Sequence, residues 1–289
     1  MQIGVVYPQT ELRGDPDAVR AIGLATESLG YDYLLAYDHV LGAVHADREP
    51  ALRGPYTEHD PFHDPFVLFA YLAGMTERIE FATGVVILPQ RQTVLVAKQA
   101  ADLDLLSGQR LRLGVGVGWN YVEYDALGQE FTTRGARADE QIGYLRQLWT
   151  GEILEWTGRF DAIDRGVLIP APTHQIPIWV GGFGPAAFRR GVTLGDGFMF
   201  AGDEASVMAA LESVRALAEQ HDGDRHREPS DFGLEFIALQ AGSVDATVEA
   251  AQRWREAGGT HFAAVSMGMG LDSTEAHLDF FSQVAERLS

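Results

Sequence analysis

Cysteine is absent from the 289 residues, and that absence removes disulfide frameworks, thiolate nucleophiles and cysteine-built zinc sites. Lysine occurs once, at Lys98, so the remaining basic residues are arginine. Positive charge is scarce altogether: 22 Lys+Arg face 41 Asp+Glu, a formal net charge of −19. Such a surface repels phosphate backbones and anionic lipid, so nucleic acid and membranes are poor partners, and an anionic ligand must be held by local groups. No apolar run approaches the ~18 residues that cross a bilayer. The opening Met1-Gln-Ile-Gly-Val-Val-Tyr-Pro8 has neither a basic start nor a cleavage site, which leads to the expectation of a cytoplasmic protein. The motifs His-Glu-x-x-His, Gly-x-Ser-x-Gly and the phosphate loop ending in Gly-Lys-Ser/Thr are also missing.

What is present is a regular alternation. Hydrophobic residues at 46% and charged residues at 22% are those of a folded globular chain and exclude a disordered or fibrous one. Short apolar runs are each followed by a stretch with helical spacing: 3–7 then 15–29, 33–37 then 65–75, 79–88 then 94–106, and 111–117 then 137–149. Four more units follow, 178–180 then 185–194, 197–200 then 204–219, 234–240 then 245–257, and 262–267 then 273–288. Eight strand-helix units without a composition break predict an α/β fold, a (β/α)8 TIM barrel occupying residues 1–289 as one domain. Two connections are long enough to be lids or binding walls, 40–62 after the second strand and 151–175 before the fifth.

Four segments can carry chemistry. Asp38-His39 ends the second strand, on the face where barrel active sites lie. An imidazole there can polarise a carbonyl or move a proton near neutral pH; equally, the pair can cap a loop. Neighbours on a strand point to opposite faces, so the two need not touch. Thr83-Gly-Val85-Val86-Ile-Leu-Pro89 offers a β-branched surface for a flat ring, with Gly84 permitting a bulge, or is simply a buried strand. Gly114-Val-Gly116-Val-Gly118-Trp119-Asn120 lacks the phosphate-loop and dinucleotide spacings, but Trp119 would wall the barrel mouth. Finally, Gly181-Gly182-Phe183-Gly184-Pro185 joins the fifth strand to a helix, where converging amides and the helix start suit a phosphate. Gly182-x-Gly184-x-x-Ala187, with Asp203 downstream, also meets a relaxed Rossmann pattern and keeps a nicotinamide dehydrogenase open. His59 and His63, interrupted by Pro61 and flanked by Asp60 and Asp64, read better as a solvated loop than as metal ligands. The stretch from His221 to His226 reads as an exposed turn.

In their order, these segments resemble the luciferase-like monooxygenase superfamily, and within it the oxidoreductases that use the deazaflavin coenzyme F420. The resemblance runs along nearly the whole chain, strongest from Thr83-Gly-Val-Val-Ile-Leu-Pro-Gln-Arg91 through Ala97-Lys-Gln-Ala-Ala-Asp-Leu-Asp-Leu-Leu-Ser-Gly-Gln-Arg110 to Gly114-Val-Gly-Val-Gly-Trp-Asn120. Arg137-Ala-Asp-Glu140, Trp156-Thr-Gly-Arg-Phe160, Pro177-Ile-Trp-Val-Gly-Gly182 and Gly195-Asp-Gly197 add to it. It implies a hydride-transferring oxidoreductase with His39, supported by Asp38, as the catalytic group. It places the cofactor ring against His39, Val85, Val86, Gly116 and Trp119, with a non-proline cis peptide at Val85-Val86. It puts the cofactor phosphate on the amides of Gly181, Gly182, Phe183 and Gly184.

Likeness to the F420 branch and the arginine-rich composition favour F420, with FMN as the alternative cofactor. A non-catalytic F420-binding protein is the alternative from another class. Relatives that oxidise a sugar phosphate carry a glutamate where Trp119 stands, which argues against that substrate. The relatives are commonly dimers, so a small-molecule substrate and a homodimer are the implied partners.

Overall fold

The computed structural model describes residues 1–220 and 232–288. The turn expected at His221 to His226 lies outside the described residues. Parallel strands β1 (Gln2–Val6), β2 (Tyr33–Ala36), β3 (Glu80–Thr83), β4 (Val86–Ile87), β5 (Leu111–Gly116), β8 (Ile178–Gly181), β9 (Gly197–Ala201), β10 (Gly233–Ile237) and β11 (His261–Ala264) form one sheet. The order is β3-β2-β1-β11-β10-β9-β8-β5-β4, and a further pairing of Phe81 with Leu111 joins β3 to β5 and closes the barrel. The expected third strand is thus two short pieces broken at Gly84-Val85, giving eight staves as predicted.

Around the barrel stand α1 (Pro16–Ser28), α2 (Pro65–Ala73), α3 (Thr93–Ser107), α4 (Tyr121–Ala126), α5 (Arg134–Leu148), α6 (Pro185–Leu194), α7 (Glu204–Gln220), α8 (Val244–Glu256) and α9 (Thr274–Leu288). Local chemistry starts them where the sequence indicates. Asp15 and Asp64 accept amide hydrogens of the first turns of α1 and α2, each followed by a proline at the first helical position. Among the described residues, no helix is long and apolar enough to cross a membrane.

Two cores separate inside from outside. The outer core packs Leu34, Ala36 and Val86 with the helices, whereas Tyr33, Leu35, Tyr37, Met199, Ile237 and Val265 fill the barrel itself. Strand alternation accounts for the division: on β2 and its continuation, odd-numbered residues face in and even-numbered ones face out. Large side chains are matched by glycines. A Cβ at Gly4 would fall 2.4 Å from the Tyr33 ring, and one at Gly233 would fall 1.8 Å from Trp179.

The two long connections take different places. Tyr56 and Phe62 of the 40–62 segment pack on the barrel interior, so this segment covers the mouth as expected. The 151–175 segment instead contains an antiparallel hairpin, β6 (Leu154–Thr157) with β7 (Ala162–Gly166), and its Leu154, Trp156 and Ile163 pack on the outer core. Trp156 stacks on Tyr144 of α5, Glu140 accepts the amides of Arg159, Phe160 and Asp161, and Asp161 accepts the Thr93 hydroxyl at the start of α3. It braces α3 and α5, which corrects the expectation of a second lid.

Candidate active site

Strand β2 delivers two adjacent side chains to opposite sides of the barrel wall. Asp38, two residues beyond Ala36 and so on the same outward side, is buried and accepts from Arg91 Nη2 at 2.7 Å and from the Ile87 amide at 3.0 Å. Arg91 also binds Asp64, at 2.9 Å. Burial raises the Asp38 carboxyl, and Arg91 with the Ile87 amide offsets that only in part. The sequence reading made Asp38 a support for His39; the structure gives Asp38 to Arg91, where it ties β2 to the turn before α3.

His39 faces the mouth and its partner comes from elsewhere. Glu123 Oε1 lies 3.2 Å from His39 Nδ1, and the same oxygen accepts the amides of Val40 at 2.8 Å and Leu41 at 3.2 Å. The other oxygen accepts from Gln90 Nε2 at 3.2 Å. Burial works to raise the Glu123 carboxyl, but the bonds from His39, Gln90 and the Leu41 amide outweigh it and hold it below the usual glutamate range. Around the imidazole stand Phe62 at 4.8 Å, Tyr56 at 5.2 Å and Trp119 at 5.6 Å between ring centroids. The gap bordered by His39, Ala43, Tyr56, Phe62 and Asn120 is too small to hold a water molecule, so the lid packs directly against this side of the imidazole.

Glu123 escaped the sequence reading because 84 residues separate it from His39. A signal did exist: Asn120 caps α4 by accepting the Val122 amide, and a glutamate three residues after a cap is a helix-start pattern. Trp119 immediately precedes the Asn120 cap and Glu123 lies in the first turn of α4, and both reach the same imidazole.

On the next stave, between β2 and β5, Val85 stands in a slot made by two glycines. A Cβ on Gly116 would fall 2.5 Å from Val85 Cγ2, and one on Gly181 2.7 Å from Val85 Cγ1. The structure therefore brings Val85, Gly116 and Gly181 together. Val86 differs: fully buried, it packs in the outer core and faces away from the mouth. The non-proline cis peptide is Gly84-Val85, one bond before the expected Val85-Val86.

Beyond Gly181, Gly182 and Gly184 have φ of +145° and +88°, values that favour glycine, and Gly184 caps α6. Among the described residues no protein acceptor takes the amides of Phe183 and Gly184. The Phe183 side chain is 82% exposed, so this residue contributes backbone to the loop. Asp203, the ribose-binding candidate of the Rossmann reading, accepts the Ser206 amide at 3.0 Å, and the closed barrel excludes a Rossmann sheet. Among the described residues, no group of three His, Asp or Glu is placed to hold a metal ion.

A barrel with this interrupted third stave, glycine slot and post-strand-eight amide loop matches the family model described as luciferase-like monooxygenase over residues 1–286. The chain belongs to that family. An uncharacterised protein of Mycobacterium tuberculosis is 35% identical over 226 residues, 76% of each chain. An F420-dependent hydroxymycolic acid dehydrogenase of the same organism is 30% identical over 262 residues, 88% of this chain and 66% of that one. The fold superposes on an F420-dependent secondary alcohol dehydrogenase solved with an F420–acetone adduct, with a TM-score of 0.77 and 17% identity over 100% of this chain and 98% of that one.

The mouth fits a planar cofactor that carries a phosphate. The Phe183 and Gly184 amides at the start of α6 meet the needs of the phosphate. The Tyr37 hydroxyl, buried in the barrel interior, has no hydrogen-bond partner among the described residues and is an unused polar group there.

Proposed function

We propose that this family member is an F420-dependent oxidoreductase, passing a hydride between C5 of the deazaflavin and a small organic substrate at the C-terminal mouth of the barrel. The observation that carries the reading is the convergence of a phosphate-type amide loop, the Val85 wall and a carboxylate-held imidazole on one mouth. The F420-dependent relative at 30% identity supports the choice of cofactor.

The deazaflavin, when bound, supplies a carbon that accepts or gives hydride and reacts poorly with oxygen. Val85, Gly116 and Gly181 would hold its ring, and the Gly181–Gly184 backbone its phosphate. His39 holds or moves the proton on the substrate oxygen. Tyr56, Phe62 and Trp119 exclude water around the imidazole and set donor and acceptor at close range. Arg91 is committed to Asp38 and Asp64, and the walls nearest His39 are aromatic, so the substrate is an uncharged alcohol or carbonyl compound rather than a sugar phosphate.

Titrating the purified apoprotein with F420 and with FMN, read by fluorescence, tests this directly. Binding of F420 is expected; binding of neither cofactor overturns the reading. A yellow protein that consumes oxygen with reduced FMN replaces it by the monooxygenase alternative, and tight F420 binding without turnover across alcohols and ketones replaces it by a carrier. The homodimer implied by the family likeness would cover the exposed Val67 and Tyr71 of α2 and Leu95 and Leu106 of the neighbouring α3, which sedimentation velocity can test.

A further inference from the structure

One carboxylate organises both the imidazole and the root of the lid. Glu123 Oε1 meets the His39 ring and receives two backbone N–H groups, and Oε2 receives Gln90. Backbone N–H groups can only donate, so Oε1 is an acceptor on geometry alone. Glu123 is 1% exposed, and an oxygen with this donor set is ionised. An ionised oxygen cannot supply a hydrogen to the imidazole, so His39 Nδ1 must carry the proton. Nε2, at the other edge of the ring, has no protein partner among the described residues and is the nitrogen left to face a ligand.

We propose that Glu123 is the positioning residue of the site: it locks His39 as the Nδ1–H tautomer, makes Nε2 the proton acceptor, and fastens the start of the 40–62 lid through the same oxygen. The assignment rests on the reading above that His39 handles the substrate proton. In the oxidative direction the substrate O–H bond breaks as the Nε2–H bond forms, while the carbinol C–H pair leaves for the cofactor and a C=O bond forms. Reduction reverses each of these changes. The imidazolium so formed is balanced across the ring by the Glu123 carboxylate.

Other groups near the ring do not compete for this role. The Tyr56 phenol is pushed up to about 12 by burial, with Asp60 and Glu11 adding to it, and stays protonated. Asp60 borders the cavity but accepts from the amide and hydroxyl of Thr57. His45 approaches the Trp119 ring and gives its Nε2 to the Tyr56 carbonyl.

The test is long-range ¹H–¹⁵N NMR of the histidine rings in the F420-loaded protein, with His39 assigned by its loss in His39→Gln. The wild type is expected to show a protonated Nδ1 and a bare Nε2 at pH 8. Glu123→Gln keeps an acceptor for the lid amides and removes the charge. It should keep the Nδ1–H tautomer, because the amide oxygen still accepts, but move the acidic limb of the kcat/KM profile down by about one pH unit and cut kcat tenfold or more, with F420 affinity kept within twofold. Glu123→Asp is expected to recover part of kcat. A protonated Nε2 in the wild type overturns the proposal even if Glu123→Gln does not fold, as does a folded Glu123→Gln with the wild-type kcat and pH profile. Failure of the wild type to bind F420 is the separate outcome that removes the functional reading, and the ring spectrum of the unloaded protein still decides the tautomer.

Discussion

Gly54 of the lid lies against the indole of Trp119 so closely that a Cβ at that position would fall 2.2 Å from Cζ3. The same indole stands 5.6 Å from the His39 ring, and the Tyr121 hydroxyl two residues on donates to the Pro50 carbonyl at 2.6 Å. Lid, helix α4 and imidazole are therefore one packed unit. Gly54→Ala has no flexible neighbour to displace, because the obstacle is the body of a ring. The lid is expected to lift and its backbone to loosen, so that trypsin cuts at Arg48 and Arg53 several-fold faster while the midpoint of global urea unfolding changes little. Unchanged cleavage would mean that the lid accommodates the methyl group in place.

The glycine slot makes a sharper prediction because it can be reversed. Gly116→Ala places a methyl against Val85 Cγ2, and overpacking in a closed interior costs about 1–3 kcal/mol. F420 affinity is expected to fall tenfold or more as Val85 is pushed toward the ring position. Trimming the obstacle in Val85→Ala/Gly116→Ala should restore most of that affinity. Equal losses in the single and double variants would show that Val85 does not form the wall of the ring site.

Much of this arrangement is legible in the sequence because it follows from periodicity and local rules. Eight staves can be counted, α6 has the predicted bounds, and the alternation on β2 already separates His39 from Asp38. Glycine motifs likewise point to Gly116 and Gly181 through Gly184. What is not legible depends on pairing across the barrel: Glu123 with His39, and Arg91 with Asp38, are separated by 84 and 53 residues. The 151–175 hairpin was misplaced for a related reason. Its Gly, Trp and Phe residues advertise an ordered insertion, but the partners that decide where it docks, Glu140 and Tyr144, look like ordinary helix positions.

Arg91 is the cation that keeps a buried carboxylate tolerable. Asp38 is 1% exposed in its side chain, and Arg91 is its ion-pair partner at 2.7 Å. Arg91→Met leaves that carboxylate in the wall without a countercharge, a change that typically costs about 3–5 kcal/mol. Urea unfolding should report the loss, and adding Asp38→Asn should recover part of it by removing the orphaned charge. A double variant no more stable than Arg91→Met would place the cost in lost packing against Phe66 instead.

At the opposite end of the barrel, His261 gives the fold a pH dependence of known sign. Its pKa is pushed down to about 3 by burial first, then by the Arg112 guanidinium and the N-terminal ammonium. Arg112 is itself buried between the Tyr33 and Trp179 rings, 4.6 and 4.3 Å from their centroids, and is paired with Glu80 and Glu235. The folded chain therefore keeps His261 neutral over a range in which the unfolded chain binds a proton. That range runs from the ordinary histidine value of 6.5 down to about 3. Because the unfolded state holds more protons there, stability rises with pH; the contribution is complete above the ordinary value and is lost as pH falls below it. The slope is at most about 1.4 kcal/mol per pH unit from this one group. Carboxylates add their own titration at lower pH, so the decisive interval is pH 6.5 to about 5, compared between the wild type and His261→Gln. The variant should lose the fall in unfolding free energy over that interval, and parallel profiles would show that His261 becomes protonated in the folded protein as readily as in the unfolded chain.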